Sequence, residues 1–151
     1  MMRSLLLFCL AAGVLIVAPA AGTTYLIRPN GTGDFATITL AIQAAVDGDT
    51  IELADGTFQG PGNRNLSFQG KAITLRSQSG DPARCMIDCE YAGRGFFLAG
   101  GEGPASVVEA ITVKRGLQPT GGAFYLSYSS PTIRRCVFFD NSADNGGAMG
   151  S

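Results

Sequence analysis

The side chains best suited to chemistry are a few carboxylates. Asp140 and Asp144 flank Asn141, so the two carboxylates could share a calcium ion, which takes several oxygen ligands. Carboxylates at an exposed turn are more often simply solvated, and we favour solvation here. Asp88 and Glu90 are the other acidic candidates. Glycoside hydrolysis needs paired carboxylates about 5–9.5 Å apart in a groove, a distance that only the fold can set.

Two basic pairs form a second candidate site. Lys114-Arg115 and Arg134-Arg135 occupy similar places in successive copies of a sequence repeat. Stacked on one another, the four side chains would form a basic ridge suited to an anionic polysaccharide. The alternative is that outward strand positions carry charge for solubility and to prevent stray strand pairing, and this is the commoner case.

Two tyrosines could extend such a binding surface. Tyr125 and Tyr128 could offer aromatic faces to sugar rings, or could fill strand positions beside Phe124, and the sequence leaves both interpretations open. Histidine is absent from the chain, and there is no second close cysteine pair, so a zinc site is not expected. Apart from the candidate calcium ion, we expect no cofactor.

Composition limits the class of protein. The chain has 151 residues, enough for one domain. Charged residues make up 15%, glycine is abundant at 21 residues, and the formal net charge is −1. Because the sequence contains no basic stripe, nucleic acid is not an expected partner.

The first 22 residues have the layout of a secretory signal peptide. A positive start at 1–3 precedes an apolar run of 13 residues at 5–17, and Ala18-Pro19-Ala20 supplies the small residues of a cleavage site. The run is shorter than the roughly 20 apolar residues of a membrane-spanning helix. We therefore expect export with cleavage, no transmembrane span in the mature chain, and a secreted, extracellular or outer cell-surface location.

A 25-residue repeat organises the last third of the chain. Gly121-Gly122-Ala123 returns as Gly146-Gly147-Ala148, and four upstream pairs match at the same offset: Val108 with Ile133, Ile111 with Cys136, Val113 with Phe138, and Gly116 with Asn141. A fixed period of about 20 to 50 residues is typical of a solenoid, in which each repeat packs only against its neighbours. Asn141, which takes the place of a glycine, predicts a left-handed turn.

Short strands alternate with turn residues from Asp49 onward and include Thr50–Leu53, Cys85–Asp88 and Phe96–Leu98. Two longer strands are predicted at Val107–Val113 and Thr132–Phe139. Apolar residues recur at intervals close to one coil and form two predicted ladders. The first contains Ile51, Ile73 and Phe97, and the second contains Leu66, Ile87, Ile111 and Ile133. The spacing predicts an all-β solenoid of about four coils, stacked about 4.8 Å apart. Hairpins in a sandwich would also give frequent turns, but not a joint repeat of turn and core residues.

Export would leave three cysteines, Cys85, Cys89 and Cys136, in a compartment that permits disulfides. Cys85 and Cys89 lie in a predicted extended segment, which separates them by about 13 Å. A disulfide needs Cα atoms within about 7 Å, so these two cannot pair. Pairing of Cys89 with Cys136 between coils stays open, but we favour small buried apolar residues for all three.

One helix is predicted, near the start of the mature chain. Its apolar stripe comprises Ile38, Ala41, Ile42, Ala45 and Val46. Thr37 is a suitable N-cap and Gly48 a suitable C-terminal stop. We expect the helix to cover the first coil, whose open edge would otherwise pair with other chains.

Several motifs resemble right-handed parallel β-helix proteins of the pectin-lyase-like superfamily. The opening carries Gly33-Asp34-Phe35-Ala36-Thr37-Ile38, Ala41-Ile42-Gln43-Ala44-Ala45, Asp47-Gly48-Asp49-Thr50-Ile51 and Gly56-Thr57-Phe58. Ser130-Pro131-Thr132-Ile133, Asn141-Ser142-Ala143 and Gly146-Gly147-Ala148 look like repeats of bacterial secreted β-helix proteins, related to those of polymorphic outer-membrane proteins. The resemblance covers nearly all of residues 24–151 and implies a right-handed parallel β-helix with an N-terminal capping helix.

The resemblance implies a fold rather than an activity, because this fold hosts lyases, hydrolases, esterases and non-enzymatic surface proteins. The opening is also similar to that of pectin methylesterases, whose catalytic aspartates, glutamines and arginine have no matching motifs here. Polygalacturonase-type hydrolases pair aspartates with a histidine, which this chain lacks. Pectate lyases bind calcium through several acidic residues and use an arginine base, and the sequence contains no such cluster.

We expect a secreted or cell-surface structural and binding module, adhesin-like, that contacts extracellular polysaccharide or surface components. The alternative is a carbohydrate-active enzyme (a pectin or uronate lyase, esterase or hydrolase) whose catalytic coils lie beyond residue 151, so enzymatic activity is left open. A third possibility is a truncated product without a function of its own. Because no cap follows the last coil, we expect residues 23–151 to be the N-terminal part of a longer solenoid that self-associates through that coil.

Overall fold

Short strands account for most of the regular structure in the computed structural model, which describes residues 21–151. The strands are β1 (Thr24–Ile27), β2 (Thr50–Leu53), β3 (Gly56–Phe58), β4 (Thr74–Ser77), β5 (Cys85–Asp88), β6 (Phe96–Leu98), β7 (Val107–Glu109), β8 (Thr112–Lys114), β9 (Phe124–Leu126), β10 (Thr132–Arg134), β11 (Val137–Phe139) and β12 (Met149–Gly150). Helix α1 (Ile38–Ala44) and a 3₁₀ turn (Pro61–Asn63) complete the described part. The signal peptide is predicted over residues 1–22, and its first 20 residues lie outside the described part of the chain. No described helix is long and apolar enough to cross a membrane.

Three parallel sheets run along the molecule. Sheet A has the order β1-β2-β4-β7-β10, sheet B the order β11-β8-β5-β3, and sheet C the order β12-β9-β6. Neighbouring strands come from successive turns of the chain, and every pair is parallel. The protein is therefore a parallel β-solenoid of about five turns. This confirms the predicted fold, with one more turn than expected because β1 begins a turn of its own.

The register confirms the 25-residue repeat. The two strand pairs that the repeat predicts are formed: Val108 with Ile133, and Val113 with Phe138. Gly121 and Gly146 both adopt left-handed backbone conformations, with φ of 61° and 66°. Bridges between Leu117 and Ser142 and between Thr120 and Asn145 keep the same offset through the turns.

The two apolar ladders drawn from residue spacing are wrong. Ile51 lies beside Leu75, two residues beyond the predicted partner Ile73. Side chains alternate with period two along a strand, so a slip of two residues keeps both candidates on the inward face and leaves no trace in the apolar pattern. Members of both ladders are also spread over different sheets: Leu66 is bridged to Phe96 of sheet C, Phe97 lies in sheet C, Ile87 in sheet B, and Ile133 in sheet A.

Single left-handed residues mark the corners between sheets. Both long predicted strands are split, since Ala110 divides β7 from β8 and Arg135 divides β10 from β11, each with φ of 55°. Asp140 turns the next corner with φ of 54°, so the prediction of a left-handed Asn141 is wrong by one residue. Asn141 bridges coils instead: its Oδ1 accepts the Gly116 N–H at 2.8 Å, and its Nδ2 donates to a carbonyl of the preceding coil at 2.9 Å.

Helix α1 caps the first coil as predicted, but it ends early. Thr37 Oγ1 accepts an N–H of the first helical turn at 3.3 Å, which confirms the N-cap. The helix ends at Ala44, before the predicted stop at Gly48, because the Asp49 carboxylate takes the Val46 N–H at 2.9 Å. Val46 is therefore exposed and does not belong to the apolar stripe. The helical residues that close the core are Ile38, Ala41 and Ile42.

The core is a column of inward side chains to which the cysteines belong. Phe96 and Phe124 stack with ring centroids 4.4 Å apart and planes 10° apart. Cys85 and Cys89 are buried and free, and Cys136 is half-buried and free. The prediction of apolar packing is thus confirmed for the first two, and the possible pairing of Cys89 with Cys136 is not formed. Burial raises the pKa of Cys85 and of Cys89 to about 12, so both thiols stay protonated near neutral pH.

Candidate functional site

The predicted basic ridge is not assembled. Lys114 ends a strand of sheet B, whereas Arg134 ends a strand of sheet A. Arg115 and Arg135 follow them at two different corners of the coil, both with left-handed backbones. The predicted stacking of the four cations is therefore wrong, because the two dipeptides lie on different faces. Their role in ligand binding stays a prediction.

Sheet A presents a ladder of alternating charge to solvent. Glu52, Arg76, Glu109 and Arg134 lie in register on successive coils. Arg76 donates through Nε and Nη2 to Glu52 Oε1 at 3.1 and 2.6 Å, and Arg134 Nη2 donates to Glu109 Oε2 at 2.8 Å. Arg135 reaches the same glutamate, with Nη1 3.4 Å from Oε1.

The arginines form the outer layer of this face, which we call the guanidinium layer (Arg76, Arg134 and Arg135). Their side chains are 45%, 57% and 60% exposed, whereas those of Glu52 and Glu109 are 19% and 16% exposed. An approaching ligand therefore meets guanidinium N–H groups first, and the carboxylates support them from beneath. Exposed ion pairs contribute little to stability, so this arrangement is better suited to binding than to holding the fold.

Two adjoining clefts border this face at the corner that follows the strands of sheet A. The larger has a volume of about 690 Å³, and its lining includes Arg28, Asp55, Gln78 and Ser79. The second, of about 410 Å³, shares Gln78 and Ser79 and continues to Arg135. Ser79 Oγ donates to Asp55 Oδ1 at 2.6 Å. With no histidine in the chain, this serine and aspartate lack the base of a Ser-His-Asp triad, and they offer hydrogen-bonding groups.

Lys114 and Arg115 bind the buried carboxylate of Asp88, away from the guanidinium layer. Asp88 is almost completely buried; Arg115 Nε and Nη2 donate to its two oxygens at 2.8 and 2.6 Å, and Lys114 Nζ lies 3.6 Å from Oδ2. Gln59 Nε2 at 3.3 Å and the Glu90 N–H at 3.1 Å complete the set. These contacts join three successive coils, so the two cations hold the solenoid together.

Replacing Asp88 by asparagine is expected to remove an acid-sensitive contribution to stability. Burial alone would raise the pKa of the Asp88 carboxyl, but the hydrogen bonds from Arg115 and the Glu90 N–H and the charges of Arg115 and Lys114 outweigh it and lower that pKa. A carboxyl with a lower pKa in the folded state stabilises the fold above its unfolded pKa of about 3.9. That contribution is lost as the pH falls through the folded pKa.

We therefore expect the wild type to exceed Asp88→Asn in free energy of unfolding by about 2 kcal/mol at neutral pH. The difference should shrink steadily below about pH 4. Urea unfolding followed by circular dichroism, repeated from neutral to acidic pH, measures it. A difference that stays constant over this range would contradict the assigned role of the Asp88 charge.

The other acidic candidates contact neighbouring side chains or line a separate cleft. Glu90 Oε2 accepts from Arg64 Nη1 at 2.7 Å, and Asp140 accepts a hydrogen bond from the Tyr91 hydroxyl. Asp144 lines a separate cleft of about 320 Å³. Among the residues that the structure describes, no three or more His, Cys, Asp or Glu side chains are grouped so that they could hold a metal ion. The structure therefore gives no added support for a calcium site at Asp140 and Asp144, and that role stays a prediction.

Sheet C carries an exposed aromatic pair. Tyr125 of β9 stacks on Phe97 of β6, with ring centroids 5.3 Å apart and planes 11° apart. Phe97 is 42% exposed, although the sequence suggested a core position; its strand neighbours Phe96 and Leu98 are the buried ones. Tyr128 lies in the turn beyond β9, almost fully exposed and with φ of 50°. Tyr125 therefore offers an aromatic surface, whereas Tyr128 lies outside the strand.

Arg94, which is not among the site residues predicted from the sequence, lies against both rings. Its Cζ lies 5.6 Å from the ring centroid of Phe97 and 5.0 Å from that of Tyr125. Asn65 holds the backbone from both sides, since its N–H donates to the Arg94 carbonyl at 2.7 Å and its Oδ1 accepts the Arg94 N–H at 3.0 Å. A signal was present in the sequence: an arginine between two glycines, directly before a strand with an aromatic residue at its outward position.

Comparisons with known proteins find no relative for this chain. No family model, no curated protein and no solved structure matches it. The pairing of its strands therefore establishes the fold on its own.

Proposed function

We propose that this protein is an exported β-helix module that binds an extended acidic polysaccharide at or outside the cell surface. The binding face is the guanidinium layer of sheet A with its two adjoining clefts. The observation that carries the proposal is the layering of charge, with exposed arginines above covered carboxylates. The resemblance to pectin-lyase-like β-helices and to polymorphic-outer-membrane-protein repeats supports an adhesin-like extracellular role, right-handed coiling and membership of that superfamily.

An extended ligand fits this face because its cations recur along the solenoid axis. Arg28 follows the first strand of sheet A, Arg76 lies in the third, and Arg135 follows the fifth. Guanidinium groups therefore recur at intervals of two strand spacings, roughly 9.6 Å. Each presents a planar fork of donors that matches a carboxylate. A polymer with a carboxylate on each sugar could contact several turns at once, which raises affinity without a deep pocket.

Nucleic acid fits the same face less well. The residues that line the two clefts include no aromatic side chain, whereas single-stranded nucleic acids bind to aromatic stacking platforms. The exposed arginines are also partly neutralised by the glutamates beneath them, and the whole chain has a net charge of −1. Phosphate backbones select a higher density of uncompensated positive charge.

Removing two guanidinium groups from sheet A is expected to weaken retention on immobilised polygalacturonate. Arg134→Gln/Arg135→Gln should lower the affinity about tenfold, since each exposed charge contributes modestly. The affinity of the wild type should also fall as salt is added. The control is Arg64→Gln, which removes a cation that pairs with Glu90 away from sheet A and should bind as the wild type does, provided that circular dichroism shows it folded.

Two outcomes would count against the proposal. Unchanged retention of the sheet A variant would exclude the guanidinium layer as the binding face. Release of unsaturated uronides or methanol from the polysaccharide by the wild type would establish the alternative function, a carbohydrate-active enzyme.

A further inference from the structure

Arg94 is a cation without a counter-charge in a partly desolvated position. None of the ion pairs formed among the described residues includes it. Its guanidinium makes one long hydrogen bond, from Nη2 to Gln118 Oε1 at 3.4 Å, and Nη1 is buried with no partner. Burial lowers the pKa of Arg94, yet a guanidinium remains charged at neutral pH.

An unpaired buried donor on a charged group is a costly arrangement. Nη1 of Arg94 is the one buried side-chain nitrogen or oxygen without a partner in the described chain. Its backbone is also closely packed, because a Cβ on Gly93 would lie 2.7 Å from Asn65 Nδ2 and a Cβ on Gly95 would lie 2.5 Å from a Val113 methyl group. The close packing holds the arginine in place, and a bound anion would satisfy both the donor and the charge.

The neighbouring aromatic pair indicates what kind of anion fits. Phe97 and Tyr125 lie beside the guanidinium and form a stacked, partly exposed surface. Aromatic rings of this kind bury apolar area and, in tyrosine, add a hydroxyl for hydrogen bonding. A ligand that satisfies all three side chains has a ring with an apolar face and a carboxylate at its edge.

We propose that Arg94, Phe97 and Tyr125 form a subsite for a uronic acid residue, with the sugar ring against the aromatic pair and the carboxylate accepting hydrogen bonds from the guanidinium. The long hydrogen bond from Nη2 to Gln118 is weak, so the Gln118 amide gives way to the carboxylate there, and the released guanidinium can turn to donate from Nη1 as well. A neutral sugar contacts the rings but leaves the guanidinium unpaired, so the subsite discriminates against it. The subsite lies on sheet C, away from the guanidinium layer, and therefore does not rest on the function proposed for sheet A.

Calorimetric titration with digalacturonate and with neutral digalactoside tests the subsite. Both titrations use the Arg134→Gln/Arg135→Gln protein, so that sheet A contributes little. We expect saturable binding of digalacturonate and at least about tenfold weaker binding of the neutral sugar. Arg94→Gln in the same background should weaken digalacturonate binding about tenfold and leave the neutral sugar unaffected. Arg84→Gln, which removes an exposed arginine paired with Asp55, is the matched control and should bind as its parent does.

Thermal unfolding separates a binding role from a structural one. Without ligand, Arg94→Gln should melt at the same temperature as its parent or higher, because it removes an uncompensated charge and an unpaired donor. Phe97→Ala, an outward truncation, should weaken binding of both sugars about tenfold while the protein stays folded. The proposal is overturned by a large drop in the melting temperature of Arg94→Gln, by equal digalacturonate binding of Arg94→Gln and its parent, or by no digalacturonate binding at all.

Discussion

Replacing Phe124 by alanine is expected to lower the free energy of unfolding by about 3–5 kcal/mol. Phe124 is completely buried, stacks on Phe96 at 4.4 Å, and makes an edge contact with Phe138 at 5.5 Å. These partners come from the preceding and the following coil. The cavity left by the ring cannot close easily, because parallel strand pairing keeps the coils at a set spacing. Urea unfolding followed by circular dichroism measures the loss.

Phe97→Ala is the matched control for this change. It removes the same side chain from the same sheet but from the outward face, where the ring is partly exposed. The variant loses the stacking contact with Tyr125, worth about 1 kcal/mol. Equal losses for Phe124→Ala and Phe97→Ala would contradict the assignment of inward and outward faces in sheet C.

Replacing Gly116 by alanine is expected to destabilise the protein by about 3 kcal/mol. A Cβ on Gly116 would lie 1.8 Å from the carbonyl oxygen of Gly122. A backbone atom cannot rotate aside as a side chain can, so the loop between sheets B and C must move. That movement would break the contacts of Gly116 with the next coil, since its N–H donates to Asn141 Oδ1 at 2.8 Å and its carbonyl accepts the Ser142 N–H at 2.8 Å.

Gly103→Ala is the corresponding control, because a Cβ on Gly103 would meet no heavy atom within 4 Å and its backbone is not left-handed. Alanine there should be neutral or stabilise by about 0.5 kcal/mol, through the reduced entropy of the unfolded chain. Thermal unfolding of the two variants side by side isolates the close approach at Gly116. Similar melting temperatures would show that the loop accommodates a side chain.

Features that depend on neighbouring residues were predictable from the sequence. The bounds of Thr50–Leu53, Cys85–Asp88 and Phe96–Leu98 are those that the apolar and turn residues predict, and Thr37 caps the helix as expected. Strand β3 was missed, because Gly56–Phe58 contains a single large apolar residue and follows a turn. A pattern so short does not differ from that of a loop.

The pairing of strands between coils was predictable only where a long sequence repeat specified the register. The match between residues 108–123 and 133–148 gave correct pairing, whereas Ile51 was matched to Ile73 in place of Leu75. Two residues of slip do not change which face of a strand is apolar. Arg135 and Asp140 supply left-handed corners without being glycine or asparagine, so turn chemistry did not reveal them.

The 25-residue repeat in the last third of the chain is sufficient to predict a solenoid, because inward residues and turn residues recur there at the same offset. Whether a cation is paired or free depends on residues of the neighbouring coils, which lie about 25 positions or more away in the sequence. Arg115 is committed to Asp88, Arg134 stands exposed above Glu109, and Arg94 has no carboxylate at all among the described residues. These three outcomes depend on which side chains the strand register and the corners bring within hydrogen-bond distance. The sequence of one strand does not specify which residues of the neighbouring strand lie beside it.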